Sequence, residues 1–563
     1  MPLFRVFILT FAVASTLCLA GEPPGLREVA PVSVGRDGRL TYQADGFGNV
    51  VPDFSMAGYQ NGGVVLPVAP VVVRLVPVTD SEDDSPRIQA AIDKVAAGPE
   101  DPASGIRGAV LLEKGGYRCA RTLIIPAGVT LRGVGPGADG TMIVATMIAG
   151  KGSNAQPILI QMTGKGAQKT TGAPHAVTDE KVPLGSRRLS VTNADAFKAG
   201  DRVIVERPST AAWIHDLKMD EIKLNKGGKQ WSPKEYVLRW QSRILSINGD
   251  ELTLDTPVIC SLERRYGGGS VYARAADSRG RAAAVESIRL VSIYQKGAET
   301  KDERHAWDAI RIDSLVDSWV RDVTALHFAD SCVNVGQSAS RITVQDCAMI
   351  DPVSTIAGGR RYSFVGSGQY VLIQRCYARN GRHDFVTGKK DAGPTVFLDC
   401  LAELSHSDIG PHHRWSCGQL YDNVKGGAIN VQDRGASGTG HGWAGSAQVL
   451  WNCEAATLIC QKPWPPGAQN WAIGCTGADR KPALAGRPPG IWHSRNTPVA
   501  PRSLYLAQLK ERIDRDGGDG GSAVLAVTTA KQRQGNLWES MRQRHALEPV
   551  YSKLADRPEP ELR

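Results

Sequence analysis

Five of the eleven histidines fall between residues 383 and 441, and arginine and tyrosine share that stretch. Aligning RRYSFVG (360–366), RHDFVTG (382–388) and HHRWSCG (412–418) on Phe364, Phe385 and Trp415 creates three columns. They hold Arg361, Arg382 and His412; Tyr362, His383 and His413; and Ser363, Asp384 and Arg414. Trp415 suits a core anchor or a sugar platform, and HGWAG (441–445) adds His441 and Trp443 one repeat later. This set fits eliminative cleavage of a uronic-acid polymer, in which the C5 proton is removed beside the carboxylate and the C4 oxygen leaves. A cation must neutralise the carboxylate and the enolate-like charge, and a base and an acid must move the protons. Arg361, Arg382 and Arg414 can supply the cation by bidentate pairing. His383 or His413 is the expected base, and Tyr362 or the other histidine the acid. Arg361, His412, Trp415, His441 and Trp443 are expected to line the groove.

Other chemistries make other demands. A calcium-assisted variant needs converging oxygen ligands, for which Asp351, Asp384, Asp391 and Asp408 are available; the metal-free route is preferred, with no cofactor. A glycoside hydrolase needs two carboxyl groups flanking one bond, such as Asp384 with Asp408 or Asp433. A C5 epimerase takes the same proton as a lyase. A noncatalytic carbohydrate-binding solenoid needs only aromatic platforms. Arg and His can also simply tie stacked turns together through carbonyl hydrogen bonds. No CxxC pair or HExxH string points to zinc.

The elements that must carry these side chains form an internal repeat. WVRDV (319–323), TVQDC (343–347), LIQRC (372–376), VFLDC (396–400), QLYDN (419–423), VLWNC (449–453) and WAIGC (471–475) share one ending. The last positions are separated, by subtraction, by 24, 29, 24, 23, 30 and 22 residues. Such spacing carried by strands predicts a solenoid. The penultimate residues, Asp322, Asp346, Arg375, Asp399, Asp422, Asn452 and Gly474, are mostly types that tolerate a left-handed corner. Coils stacked about 4.8 Å apart would align such columns on one face.

DDSPRIQAAIDKVAA (83–97) spaces Ile88, Ala91, Ile92 and Val95 for an amphipathic helix, and GAVLLEKGGYRCARTLIIPAGVTLRGVGPG (108–137) follows as three strands. This opening resembles that of the pectate-lyase superfamily. The resemblance implies an all-β, right-handed parallel β-helix with an N-terminal capping helix, and a polysaccharide lyase activity. The expected organisation is a signal peptide (1–20), an N-terminal extension (21–80), the β-helix (81–500) with a small β insertion (about 183–260), and a C-terminal capping helix and tail (501–563). SLYLAQLKERI (503–513) is the candidate for closing the last coil.

MPLFRVFILTFAVASTLCLA has the layout of a cleavable secretory signal, so a secreted or periplasmic monomer without a membrane anchor is expected. The formal charge of +9 favours an anionic partner, here acidic polysaccharide. Without a Lys/Arg run interleaved with aromatics, nucleic acid is not expected. The ten cysteines beyond Cys18 are expected to be mainly buried thiols.

Overall fold

The recurring ending in the sequence is a backbone corner. In the computed structural model, which describes residues 29–137, 139–150, 154–464 and 467–517, Asp322, Asp346, Arg375, Asp399, Asn423, Asn452 and Gly474 all have left-handed φ values between 48° and 68°. Asn423 takes the fifth corner, where the string comparison placed Asp422. Asp422 is instead held by the chain's last helix, accepting hydrogen bonds from Ser503 Oγ at 2.7 Å and the Tyr505 amide at 2.9 Å. The inward position after this corner is therefore Val424, whereas its counterparts are Cys347, Cys376, Cys400, Cys453 and Cys475.

These thiols are buried and free, as are the other cysteines from Cys119 to Cys475. Cys347, Cys376 and Cys400 donate to the carbonyl two residues back, on Gln345, Gln374 and Leu398, at 3.2–3.4 Å. A small, weakly polar side chain thus fills the core and also satisfies a carbonyl turned in at the corner. Burial pushes the Cys347 and Cys376 thiols well above their ordinary range, leaving them unreactive.

Successive coils pair in parallel, with Val320, Val344, Ile373, Phe397, Tyr421, Leu450 and Ala472 in one inward file. Three parallel faces result. One contains these residues, a second runs through Ala348–Ile350, Tyr377–Arg379 and Leu401–Glu403, and the third through Ser331–Val335, Phe364–Gly366, Phe385–Thr387 and Gly410–Pro411. The chain is a parallel β-helix with one continuous apolar interior.

The first coil is covered by helix Ser85–Ala96, which buries Ile88, Ala91, Ile92 and Val95 as their spacing predicts. Asp83 accepts from the Ala120 amide at 3.1 Å and Asp84 from the Arg118 amide at 2.7 Å, tying this helix to the coil beneath it. Between Thr170 and Arg274 the chain leaves the solenoid to form a six-stranded antiparallel sheet with its own core, beyond both limits of the 183–260 hairpin region.

The last helix, Leu504–Asp516, does not close the final coil. It lies along the side of the solenoid, where Leu504, Tyr505 and Leu509 join the outward side chains Leu372, Val396, Leu420, Val449 and Trp471. Residues 53–59 (DFSMAGY) of the N-terminal extension are its neighbour: Tyr505 Oη donates to Ala57 O at 2.8 Å and the Tyr59 amide to Thr343 Oγ1 at 2.8 Å. Gly58 lies so close to the coil that a Cβ there would fall 3.1 Å from Thr343 and 3.3 Å from Leu372, at a φ of 110°. The predicted signal peptide and the tail beyond 517 lie outside the described residues. No described helix is long and apolar enough to cross a membrane.

Candidate functional site

Core packing on the third face sets the positions of the polar residues just before it. Phe364 stacks on Phe385 with centroids 5.5 Å apart, so the residues before these phenylalanines also stack. Tyr362 meets His383 edge-on at 5.0 Å, and Ser363 Oγ donates to Asp384 at 2.7 Å. The next coil pairs Val386 with Gly410 and Thr387 with Pro411. Ile409 therefore follows Phe385 in the file, and the alignment on Trp415 is six residues out of register. His412 and His413 lie in the turn after the strand. That turn returns them to the same place: His412 is 4.5 Å from His383 and 5.1 Å from Tyr362, centroid to centroid, and Tyr362 Oη is 3.0 Å from His412 Nε2. His413 and His441 complete the group, 4.9 and 5.0 Å from His412 and 4.8 Å from each other.

Hydrogen bonding orients the deepest histidine. His383 Nδ1 lies 2.8 Å from the Asp408 carbonyl, which can only accept, so Nδ1 carries a proton. Asp408 Oδ1 is 3.3 Å from the same nitrogen, and Arg434 Nη1 is 3.2 Å from Oδ2. Although burial opposes ionisation, the contacts with His383 and Arg434 hold the Asp408 carboxyl well below its usual range. His412 Nδ1 is buried without a protein partner. Because an unpaired acceptor costs less than an orphaned N–H, the favoured tautomer protonates Nε2, which donates to Tyr362 and leaves the phenolic proton directed elsewhere.

Burial, followed by the neighbouring cations and histidines, lowers the basicity of the outer rings: His412 falls far below its ordinary value, His413 to about 3 and His441 to about 4. Burial raises Tyr362, against the pull of Arg382. At neutral pH His412, His413 and His441 are therefore neutral imidazoles, and Tyr362 a protonated phenol, beside guanidinium groups. The His413 and His441 ring resonances are expected to stay flat in an NMR titration from pH 8 to pH 5; midpoints near 6.5 would contradict the geometry. For stability the sign follows from a lowered folded pKa. The unfolded chain takes the proton first, so these groups' contribution is full above about 6.5 and is lost as pH falls toward 4 and then 3. Asp391 and Asp422, pushed up to about 7 by burial, act in the opposite sense, which makes the individual resonances a sharper readout than the unfolding midpoint.

The structure thus brings together Tyr362, His383, His412, His413 and His441. Arg382, half-buried, lies 6.0 Å over the Tyr362 ring and also donates to the Gly358 carbonyl. Three expected groove residues, Arg361, Trp415 and Trp443, and the expected catalytic cation Arg414 have other tasks. Arg361 is 2% exposed and donates to the carbonyls of Ser354, Asn380 and Glu299, a tie between turns. Arg414 is buried and donates to Thr439 O at 2.9 Å and Oγ1 at 2.7 Å. Trp415 and Trp443 cannot be sugar platforms, because both are buried in the core of the inserted sheet, Trp415 edge-on to Trp213 at 4.9 Å. Arg414 and Trp415, with φ values of 56° and 67°, form the turn that sends the tryptophan inward. Arg434 was missed because it precedes HGWAG in a loop with no counterpart in the aligned strings.

Each of the four aspartates available to calcium is engaged by protein partners. Asp351 pairs with Arg379, Asp384 accepts from Ser363 and Ser405, Asp391 from Gln337, and Asp408 from His383 and Arg434. Among the described residues, one trio has metal-compatible spacing, the exposed His215, Asp220 and Glu221 of the insert. Cavities of about 150 Å³ beside Tyr59 and 310 Å³ beside Tyr370 do not include the histidine cluster.

No protein-family model and no curated protein matches the chain. Solved structures similar to it include the tailspike protein gp49 from Pseudomonas phage LKA1, with 13% identity over 70% of this chain and 56% of that one, at a TM-score of 0.41. The catalytic domain of a GH87 α-1,3-glucanase in complex with nigerose gives 8% identity over 77% and 67%, at 0.36. The Azotobacter vinelandii mannuronan C-5 epimerase AlgE6 A-module gives 11% over 74% and 96%, at 0.27. The chain spans little more than half of the tailspike. Likeness at these scores carries no argument about activity, which rests on the side chains themselves.

Proposed function

We propose that the protein is a secreted polysaccharide lyase that cleaves a uronic-acid-containing polymer by β-elimination without a metal. The observation that carries this reading is the 3.0 Å contact between Tyr362 Oη and His412 Nε2, set within four histidines and beside Arg382 and Arg434. Tyr362 is the acid: with the favoured His412 tautomer donating to the phenolic oxygen, the phenolic proton, which has only the Gly358 carbonyl at 3.4 Å as acceptor, is available to the leaving oxygen. His413, half-buried in contact with His412 and His441, is the base for the C5 proton. Its low affinity for protons in the free protein comes from burial and nearby positive charge. A bound uronate carboxylate reverses the second of these, raising basicity where the substrate lies. Arg382 and Arg434 neutralise the carboxylate and the enolate-like charge. His383, 1% exposed, is a positioning residue behind this surface.

The carboxyl groups available to a hydrolase support that alternative less well. Asp408 is held ionised by two cationic or proton-donating partners, Asp384 is enclosed by Ser363 and Ser405, and Asp433 pairs with Arg487 at 2.7 Å. The test is a panel of anionic polysaccharides incubated with the purified protein, following ultraviolet absorbance of unsaturated uronate together with new reducing ends. Both should rise together on at least one polymer. Reducing ends without absorbance would replace elimination by hydrolysis. Exchange of the C5 proton without chain cleavage would indicate epimerisation, and binding without either signal would remove the catalytic reading.

A further inference from the structure

Three neighbouring strands of the inserted sheet each place an arginine at the same level. Arg202 directly faces Arg243 across the antiparallel pair, and on its other side Val203 pairs with Ala273, bringing Arg274 alongside Arg202. Like charges directly opposed on adjacent strands are destabilising, and here three stand in a row. All three line a cavity of about 310 Å³ together with Arg341 from the coil, Asp255 and Asp317. The two lining carboxylates are already engaged. Asp317 accepts two hydrogen bonds from Arg341, at 2.7 and 2.8 Å, and Asp255 accepts from Ser242 Oγ and the Arg243 amide, each at 2.9 Å.

The remaining charge is unevenly compensated. Arg274, with a side chain 3% exposed, pairs with Asp277, but that carboxylate also holds Arg279 at 2.8 Å. Arg274 Nε is buried without a protein partner. Arg243 reaches Asp255 only at 3.6 Å, and Arg202 makes no ion pair among the described residues. With Asp277 and Arg279 included, five guanidinium groups thus meet three carboxylates in and around a polar cavity between the insert, the coil and the N-terminal segment. A buried guanidinium with an unused donor beside two further cations calls for a planar or tetrahedral oxyanion, which guanidinium groups bind bidentately.

We infer that this cavity is an oxyanion-binding site for a carboxylate or sulfate group, separate from the histidine cluster. It rests on the arginine row and not on the proposed elimination. The same chemistry fits a free inorganic anion or an acidic group carried on a sugar chain, and the two sources are separable. Calorimetric titrations of the full protein with inorganic sulfate and with a short oligouronide, at low salt, form the two arms. Arg202→Gln/Arg243→Gln, two exposed positions remote from Tyr362, is the test variant; Arg382→Gln reports the histidine site.

The arginine row predicts that at least one of these ligands binds the wild type and that the double variant weakens it at least tenfold, whereas Arg382→Gln leaves that binding in place. Sulfate alone would assign the site to free anions, and oligouronide to a sugar-borne carboxylate. Saturable binding of neither, or affinities unchanged in the double variant, would overturn the proposal. Failure of the lyase reading appears separately, as absence of unsaturated product in a protein that still binds anion through Arg202 and Arg243.

Discussion

Tyr362→Phe is expected to lower the rate of unsaturated-product formation by about 10²–10⁴-fold, the range that a positioned acid or base contributes. The substitution removes one hydroxyl from a half-buried ring and leaves in place the packing against His383 and His412. It therefore separates proton transfer from folding. Substrate affinity should change little, because the cations that hold the carboxylate, Arg382 and Arg434, are untouched, so the loss belongs in kcat and not in KM. Activity within threefold of wild type would remove Tyr362 from the reaction.

Asp408→Ala carries the second large effect, on stability as well as rate. The carboxylate joins a histidine with 1% exposure to a guanidinium, at 3.3 and 3.2 Å. Truncation strands the Arg434 charge and removes one of two groups orienting His383. Breaking a buried pair of this kind costs about 3–5 kcal/mol, seen as a lower midpoint in chemical denaturation. Asp408→Asn keeps the shape and restores part of that stability, but the amide cannot balance Arg434. Its activity is expected to remain depressed even where its fold is recovered. Denaturation midpoints of both variants indistinguishable from wild type would contradict the assigned pairing.

Much of the architecture was legible because its cause is local. A corner needs a left-handed residue, and Asp, Asn or Gly followed by a small inward group repeats at every coil but the one turned by Arg375. The helix Ser85–Ala96 was equally readable, since Ile88, Ala91, Ile92 and Val95 follow helical spacing and all are buried. The fifth corner was misplaced by one residue because both Asp422 and Asn423 tolerate that conformation. What decided between them was the demand of Ser503 and Tyr505, some eighty residues later in the chain, for the Asp422 carboxylate.

The site was legible by composition more than by register. Matching Trp415 to Phe364 and Phe385 treated an aromatic residue as an inward coil position, whereas Ile409 takes that place and Trp415 enters the core of the insert. His412 still reaches Tyr362 because the turn brings it back over the same coil edge. The burial of Arg361 and the pairing of Arg434 with Asp408 depend on contacts between loops of different coils, which no spacing in the strings encodes. For the same reason the helix Leu504–Asp516 has the expected amphipathic pattern but a different partner: the outward faces of Leu372, Val396 and Leu420 are as apolar as an open coil end.

The most direct test of the central claim uses a uronate polymer deuterated at C5 and follows unsaturated-product absorbance in single-turnover reactions. Removal of that proton at this site predicts a slower reaction with the deuterated polymer and loss of the signal in Tyr362→Phe. Chain cleavage at the same rate for both polymers, with no unsaturated product, would contradict it.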